Sequence, residues 1–208
     1  MAAPIVPHFA DALVILDVFG IAVFAVSGAL LAAEKRQTLV TFIFFAVVTG
    51  VGGGTLRDLL MGAPVFWVHA NATLLICIGA ALAVWLVSTR WVSGKALDWF
   101  DAAGLAAYAT YGSAKALGYG VAPVPAFAMG VLTACFGGIV RDVLAGEPSI
   151  LMRPELYVTA AALAAGLFVG LVLAGAPVIA AAAAGTLAGF ALRGLAIARG
   201  WKLPAYKD

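Results

Sequence analysis

The chain is dominated by apolar stretches that are each about as long as a membrane is thick. A bilayer core of about 30 Å needs roughly 20 apolar residues per helix. Of the 208 residues 64% are hydrophobic and 11% charged, and the mean hydropathy is +1.10. A soluble domain has roughly 45–50% apolar and about 25% charged residues. Continuous apolarity without strand-like alternation favours helices over a β-barrel. The sequence therefore predicts an all-α membrane protein.

The apolar stretches make one membrane domain over residues 1–208 with seven transmembrane helices. The breaks between them carry charges or turn residues, such as Glu34-Lys35-Arg36 and Gly62-Ala63-Pro64. The predicted spans are 9–33, 39–62, 66–89, 98–120, 123–146, 154–175 and 177–199.

Basic residues in the connecting segments predict the orientation, because cytoplasmic loops carry the excess of lysine and arginine. The loops on the N-terminal side of the membrane contain none. We therefore predict an external N-terminus and a cytoplasmic C-terminus, in a multi-pass protein of a prokaryotic plasma membrane. The basic residues on the predicted cytoplasmic side are Lys35, Arg36, Arg90, Lys95, Arg153, Arg199, Lys202 and Lys207.

A shift of 84 residues aligns the first half of the chain with the second. It places the GG-x-x-RD motif of Gly53 to Asp58 on the same motif of Gly137 to Asp142, and Asp17 on Asp101. Each copy has three spans, an odd number, so we predict two inverted repeats, which are typical of proteins with a pathway at the repeat interface. The predicted units are repeat one at about 9–90, repeat two at about 98–175 and a seventh helix at about 177–199.

Charged residues inside apolar spans are the main candidates for function. A charge at the bilayer centre costs from about 2.5 to more than 10 kcal/mol and usually faces a partner or a wet cavity. Neighbours on a helix point about 100° apart, so we expect each arginine to meet an aspartate of another helix rather than its own neighbour. Structural clasps and pore lining both remain open as roles. The residues are Asp17, Arg57, Asp58, Asp101, Arg141 and Asp142.

Lys115 breaks the repeat, because its counterpart in the first copy is Leu31. Near the end of its predicted span, the side chain can extend to the membrane interface. It can alternatively act in gating, since a charge that moves in the membrane field contributes about 2.3 kcal/mol per 100 mV. Both interpretations remain open.

Glycine clusters lie in the second and fifth predicted spans. Glycine weakens a helix, and a break at membrane depth frees backbone carbonyls that can replace part of an ion's hydration shell. Close packing of helices by small residues is the alternative. We predict a kink or break at Gly52, Gly53, Gly54, Gly137 and Gly138.

Patterns typical of enzymes, metal sites and nucleic-acid surfaces are absent from the sequence. It contains no G-x-S-x-G, H-E-x-x-H or P-loop motif. Cys77 and Cys135 lie in apolar stretches without ligand spacing and are expected to be small buried hydrophobes. The formal charge is only +2, without a basic run. We expect no enzymatic activity, no cofactor, no metal and no nucleic-acid partner.

The paired motifs, GGG-x-x-RD at Gly52 to Asp58 and GG-x-x-RD at Gly137 to Asp142, resemble those of the trimeric intracellular cation (TRIC) channel family in its prokaryotic branch. The resemblance covers nearly the whole chain. It implies a homotrimer in lipid, with a water-filled pore in each protomer between the repeats and kinked second and fifth helices. Such a pore conducts potassium and other monovalent cations. The resemblance also matches the family's basic gating residue to Lys115, and the two-glycine cluster implies a milder kink.

A passive, potassium-permeable channel for monovalent cations is the leading hypothesis. Inverted repeats with broken helices also suit a secondary transporter of a small solute such as glycine. A purely structural scaffold is a third class. Potassium currents in a bilayer favour the channel, whereas saturable, gradient-coupled uptake favours the transporter.

Overall fold

Seven α-helices account for most of the chain in this computed structural model, which describes residues 7–87 and 95–204. A 3₁₀ turn, Ile150–Met152, lies between the fifth and sixth helices. The all-helical architecture agrees with the predicted fold class, and the helix count over the described residues agrees with the predicted spans. The helices are α1 Pro7–Glu34, α2 Leu39–Leu60, α3 Asn71–Leu86, α4 Ala96–Gly118, α5 Pro123–Leu144, α6 Val158–Leu173 and α7 Val178–Arg199.

The helices differ in length and hydropathy, which decide whether a helix can cross a membrane. α3 and α6 are apolar but have 16 residues each, which is short of the roughly 20 that a bilayer core needs. α4 has 23 residues, but it carries Asp98, Asp101 and Lys115. Its charges are tolerated because α4 lies at the centre of the bundle, against α1, α5, α6 and α7. Helices long and apolar enough to span are Leu13–Glu34, Leu39–Leu60, Pro123–Leu144 and Val178–Arg199.

Two predicted helix starts are wrong. α3 begins at Asn71 rather than near 66, and α6 begins at Val158 rather than near 154. The residues before each helix instead form a loop that folds back on the preceding helix. The backbone N–H of Phe66 and that of Ile150 each donate to an aspartate there, at 3.1 and 3.0 Å. Hydropathy cannot distinguish an apolar loop residue from a spanning one. The end of the third predicted span and Arg90 lie outside the described residues.

α2 and α5 end in equivalent turns. Gly62 and Gly146 have φ values of 65° and 70°, in the left-handed region that favours glycine after a helix. The N–H of Ala63 donates to the Asp58 carbonyl and that of Glu147 to the Asp142 carbonyl, each at 2.9 Å. These turns direct the chain back over the helix end. They thereby position the loops that hold the two aspartates.

The contact between α1 and α4 follows the same 84-residue correspondence. The ring centroids of Phe24 and Tyr108 are 5.4 Å apart. Gly20 lies against the Tyr108 ring, and Gly104 lies against the Phe24 ring. A Cβ added at Gly104 would be 3.0 Å from the ring carbons. The glycines therefore allow the close approach of these two helices.

Candidate functional site

α2 and α5 cross at their glycines. A Cβ added at Gly137 would lie 2.5 Å from the carbonyl oxygen of Thr49, and one added at Gly53 would collide with the carbonyl oxygen of Thr133. A Cβ at Gly52 would lie 3.6 Å from the Gly137 Cα. No side chain fits between the two backbones. The crossing therefore requires glycine on both helices.

The predicted helix break at these glycines is not present in this structure. Helical structure is continuous through both clusters, from the start to the end of α2 and of α5. Gly54 lies against the Phe66 ring and Gly138 against the Tyr157 hydroxyl, so these glycines also lie at packing contacts. The geometry supports the alternative interpretation, close packing of helices through small residues. A bend that preserves the helical hydrogen bonds stays a prediction.

Three charged side chains, which we call the Asp58 cluster, meet near the Gly62 end of α2: Arg57, Asp58 and Lys115. Arg57 Nε donates to Asp58 Oδ1 at 2.9 Å. Lys115 Nζ donates to Asp58 Oδ1 and Oδ2 at 2.9 and 3.1 Å. The side chain of Lys115 is 16% exposed. Its ammonium is thus bound to a buried carboxylate, and its interfacial and gating roles both stay predictions.

Aromatic rings complete the surroundings of the two cations in the Asp58 cluster. The Arg57 guanidinium carbon lies 5.1 Å from the Tyr111 ring centroid. Lys115 Nζ lies 5.7 Å from the Phe66 ring centroid. Both distances are within the range of cation–π attraction. One carboxylate therefore serves two cations, and aromatic rings supply additional electrostatic stabilisation.

Three charged side chains, which we call the Asp142 cluster, occupy the corresponding place on α5: Asp101, Arg141 and Asp142. Arg141 donates to Asp142 Oδ1 from Nε at 2.9 Å and from Nη2 at 2.8 Å. Its Nη1 donates to Asp101 Oδ1 at 2.6 Å and to Ser27 Oγ at 3.0 Å. A buried charge is tolerated when charged and polar partners surround it in this way. The cluster joins α5 to α4 and α1.

The expectation that each arginine meets an aspartate of another helix holds for only one of them. Arg141 reaches Asp101 on α4, whereas in the described residues no carboxylate of another helix lies within ion-pair distance of Arg57. Asp17 instead accepts a hydrogen bond from the Tyr108 hydroxyl at 3.2 Å. Both arginines pair with the aspartate that follows them, contrary to expectation. The long guanidinium side chain curls back, and the loop N–H fixes the aspartate.

A third buried arginine, Arg193 of α7, is not among the predicted site residues. Its Nη2 donates to Glu155 Oε2 at 2.5 Å, and its guanidinium carbon lies 5.5 Å from the Tyr157 ring centroid. The sequence could have indicated this residue, because Arg193 is a charged residue inside an apolar span, as are the Arg-Asp motifs. The backbones of Glu155 and Lys202 also form an isolated antiparallel β-bridge. These contacts attach α7 and the following residues to the connection between α5 and α6.

A polar cavity of about 240 Å³ adjoins the Asp142 cluster. Leu31, Leu97 and Ile150 form the apolar part of its wall. The sequence identified only the cluster residues among its charged lining. The others lie at predicted span ends, where polar residues are ordinary. The sequence feature that could have indicated the cavity is the concentration of acidic residues near the end of α1, the start of α4 and the end of α5. The charged lining comprises Glu34, Asp98, Asp101, Asp142, Glu147, Arg141 and Arg153.

An ion pair beside this cavity joins two loops that are distant in sequence. Lys35 Nζ, after α1, donates to Glu147 Oε1, after α5. The hydrogen bond from Lys35 and its positive charge lower the pKa of Glu147 below its ordinary value of 4.5. Both side chains are partly exposed to solvent. Such a pair is a weak connection that salt can screen.

The charged groups are not arranged for chelation. Among residues 7–87 and 95–204, no three histidine, cysteine, aspartate or glutamate side chains are grouped so that they could hold a metal ion. Cys77 and Cys135 are buried free thiols, as the sequence predicts.

Both halves of the chain match one family model. The family described as glycine transporter matches residues 14–89 and again 98–173. Among curated proteins, the chain is 44% identical over 155 residues to a UPF0126 membrane protein of Vibrio cholerae, covering 71% of this chain and 63% of that protein. It therefore spans a little under two thirds of the Vibrio protein. It is 42% identical over 148 residues to the UPF0126 inner membrane protein YadS of Escherichia coli K12, covering 70% of this chain and 72% of YadS.

Solved structures extend the likeness over nearly the whole chain. The TRIC trimeric intracellular cation channel orthologue from Rhodobacter sphaeroides is 44% identical, with a TM-score of 0.84, covering 91% of this chain and 98% of that one. A prokaryotic TRIC channel in 0.5 M KCl is 27% identical, with a TM-score of 0.83, covering 92% of this chain and 98% of that one. These matches and those of the curated membrane proteins agree. The chain therefore belongs to the trimeric intracellular cation channel family as a prokaryotic member.

Proposed function

We propose that this protein is a channel for monovalent cations, permeable to potassium, that assembles as a homotrimer with a pore inside each protomer. The observation that carries the proposal is the likeness to the channel orthologue from Rhodobacter sphaeroides, at 44% identity and a TM-score of 0.84 over 91% of the chain. A likeness of this extent concerns the whole bundle, and it includes the helices that carry both charged clusters.

Two inverted three-helix units form the architecture that we propose for the pore. The family model matches two segments with the same 84-residue shift. The same shift relates the two halves of the α2–α5 crossing, in which Gly53 faces Thr133 and Gly137 faces Thr49. Three helices per unit require opposite orientations in the membrane. Proteins built in this way carry their pathway at the interface of the repeats.

The pathway follows the α2–α5 crossing in this proposal, with the Asp58 cluster near one end and the Asp142 cluster near the other. Where the two backbones touch at Gly53 and Gly137, no ion can pass between them. Opening therefore needs the helices to separate or bend at the glycines, where bending is easiest. The ion pair between Lys115 and Asp58 ties α4 to α2 and holds the closed arrangement. The Asp142 cluster is mainly a structural clasp.

The proposed orientation has the N-terminus outside and the C-terminus in the cytoplasm of a prokaryotic cell. Lys35, Arg153 and Arg199 then lie on the cytoplasmic side, as do Lys95 and Lys202, in agreement with the positive-inside rule. In this orientation the Asp58 cluster is nearer the external face. The polar cavity beside the Asp142 cluster opens toward the cytoplasm.

Recording from the purified protein in planar bilayers tests the proposal. With a potassium chloride gradient, we expect discrete currents that reverse near the potassium equilibrium potential, because the pore passes cations and rejects chloride. Protein-free bilayers and heat-denatured protein are the controls. The absence of discrete potassium currents would count against a channel. Saturable, gradient-coupled glycine uptake into liposomes by the same preparation would favour a transporter instead.

A further inference from the structure

The two Arg-Asp motifs can be compared atom by atom, because the 84-residue shift places each residue of one motif on its counterpart in the other. Arg141 directs Nε and Nη2 to Asp142, the next residue, and Nη1 to Asp101 on α4. Arg57 likewise directs Nε and Nη2 to Asp58, at 2.9 and 2.8 Å. Its Nη1 is buried and donates no hydrogen bond to any described residue. One contact of the second motif is therefore missing from the first.

Asp17 of α1 is the carboxylate that would complete this contact. The 84-residue shift places it on Asp101, which is the acid that Arg141 Nη1 binds. Asp17 instead accepts a hydrogen bond from the Tyr108 hydroxyl at 3.2 Å. The positive charge of Arg57 is close enough to act on this carboxylate. Arg57 therefore has a second acid in its electrostatic surroundings, as Arg141 has, but does not bind it in this structure.

Lys115 distinguishes the surroundings of the two motifs. Its ammonium donates to both oxygens of Asp58, at 2.9 and 3.1 Å. The 84-residue shift places Lys115 on Leu31, which lies in the wall of the cavity beside Asp142 and supplies no charge. Where this position carries leucine, the arginine of the motif binds two acids, and where it carries lysine, the arginine binds one. The two halves of the chain thus present alternative arrangements of the same groups.

The Tyr108 hydroxyl keeps Asp17 bound to α4. The counterpart of Tyr108 is Phe24, which has no hydroxyl and cannot donate to an acid. At this end of the bundle α4 therefore binds two neighbours, α1 through the Tyr108 hydroxyl and α2 through Lys115. A pair between Arg57 and Asp17 would join α1 directly to α2 and would release α4 from this contact with α1.

The buried charges stay paired in this second arrangement. Arg57 would bind Asp58 and Asp17 together, so its Nη1 would gain the partner whose absence costs free energy in a buried site. Lys115 would be the charge without a partner, and its side chain is 16% exposed, against 1% for Arg57 and 0% for Asp58. An ammonium that water can reach needs no buried partner. The lysine is therefore the member of the Asp58 cluster that can leave at the lowest cost.

We propose that Asp17 is a positioning residue for opening of the channel. Its carboxylate changes partner from the Tyr108 hydroxyl to Arg57 Nη1, and this exchange accompanies the departure of Lys115 from Asp58. The proposal rests on the proposed channel function, in which the pair between Lys115 and Asp58 holds the closed arrangement. The pair between Asp17 and Arg57 stabilises the open arrangement. Two ion pairs thus compete, and each belongs to one state.

Single-channel recording from Asp17→Asn tests this role. The amide keeps the size of the side chain but cannot form the ion pair, so the open probability should fall about two-fold or more. In 1 M KCl, where the Debye length is about 3 Å, the unit current should not change, because charge effects on ion entry are screened. Asp17→Glu retains the carboxylate and should keep more of the open probability. If Asp17→Asn alters only the unit current in dilute salt, the positioning role is wrong.

Tyr108→Phe removes the hydroxyl that binds Asp17 and should raise the open probability about two-fold or more. Tyr119→Phe is the matched control, since this tyrosine follows the end of α4 and is 55% exposed, and it should leave the open probability unaltered. Combined with Asp17→Asn, Tyr108→Phe should have little effect, because no carboxylate remains to be released. An equal rise with and without the Asp17 carboxylate would overturn the proposal.

A crystal structure of the double variant Lys115→Ala with Tyr108→Phe does not depend on conduction. We expect Arg57 Nη1 to lie about 3 Å from a carboxylate oxygen of Asp17, with Asp58 still bound by Arg57. An unpaired Nη1 in this variant would overturn the proposal even if the wild-type protein conducts potassium. The pair formed in a protein that gives no channel currents would overturn the channel function alone.

Discussion

Arg57 and Arg141 occupy equivalent positions but differ in how their charge is balanced. Arg141 has two carboxylates, Asp142 and Asp101. Arg57 has one, Asp58, which it shares with Lys115. Its Nη1 is buried and has no hydrogen-bond partner among the described residues. Lys115 can therefore leave without stranding Asp58, because Arg57 remains bound to that carboxylate. Loss of the Lys115 charge therefore leaves the Asp58 carboxylate paired with Arg57.

Lys115→Ala is therefore expected to raise the open probability without unfolding the protein. If the pair contributes about 1 kcal/mol to the closed state, its loss shifts the open–closed equilibrium about five-fold. Voltage dependence should flatten as well, because a charge in the membrane field is lost. Single-channel recording over a range of voltages measures both. Lys115→Arg keeps the charge and should behave more like wild type. Unchanged gating in Lys115→Ala would assign the lysine a packing role only.

The sequence identifies which charged residues lie inside apolar spans but not which groups they contact. Charges in apolar spans are few, so Arg57, Asp101 and Lys115 were visible from hydropathy alone. Their partners depend on side-chain conformations and on loop N–H groups, such as that of Phe66, which binds Asp58. Glu34 and Asp98, which line the polar cavity, could not be separated from ordinary interfacial residues, because only the folded bundle brings α1, α4 and α5 together around one cavity.

At the scale of the helices, the α2–α5 crossing shows what the glycine clusters in the sequence can and cannot predict. The glycine clusters lie where the two helices meet. Helical structure continues through both clusters, because a break in lipid would leave backbone polar groups unpaired, whereas close packing keeps the helical hydrogen bonds. The predicted kink stays a prediction. The starts of α3 and α6 were misplaced for a related reason, since hydropathy cannot reveal that an apolar segment folds back as a loop.

Gly53→Ala should destabilise the protein by about 2 kcal/mol or more, because overpacking against a fixed backbone typically costs about 1–3 kcal/mol. The new Cβ would collide with the Thr133 carbonyl oxygen. Gly79→Ala in α3 is the matched control, since nothing lies within 4 Å of its Cβ position, and it should be neutral or stabilise by up to about 1 kcal/mol. Thermal unfolding of the protein in detergent compares them. Equal midpoints for both variants would contradict the packing role of Gly53.

At the scale of the whole molecule, the ion pair between Lys35 and Glu147 links the two halves of the chain. The pair depresses the pKa of Glu147, so its stabilisation is present above the ordinary value of 4.5 and is lost as the pH falls through the lowered value. The pair joins loops after α1 and α5. Acid should therefore loosen this connection between the halves.

Comparison of wild-type protein with Glu147→Gln isolates that effect. The unfolding temperature of the wild type should exceed that of the variant at pH 7, and the two should converge as Glu147 becomes protonated in acid. High salt at pH 7 should also bring them together, because an exposed pair is screened. A difference that persists in acid would show that Glu147 contributes through packing or hydrogen bonding rather than through its charge.

Gly53 packs against the backbone of Thr133, and Gly137 packs against the backbone of Thr49. This paired contact has a mechanical consequence. Because α2 and α5 touch near their middles, this contact can act as a pivot about which the crossing angle changes. A larger crossing angle moves the ends of α2 and α5 apart on both sides of the contact at the same time. A displacement of the helix ends at the Asp58 cluster would thus also move the helix ends beside the polar cavity, with no need for a separate relay.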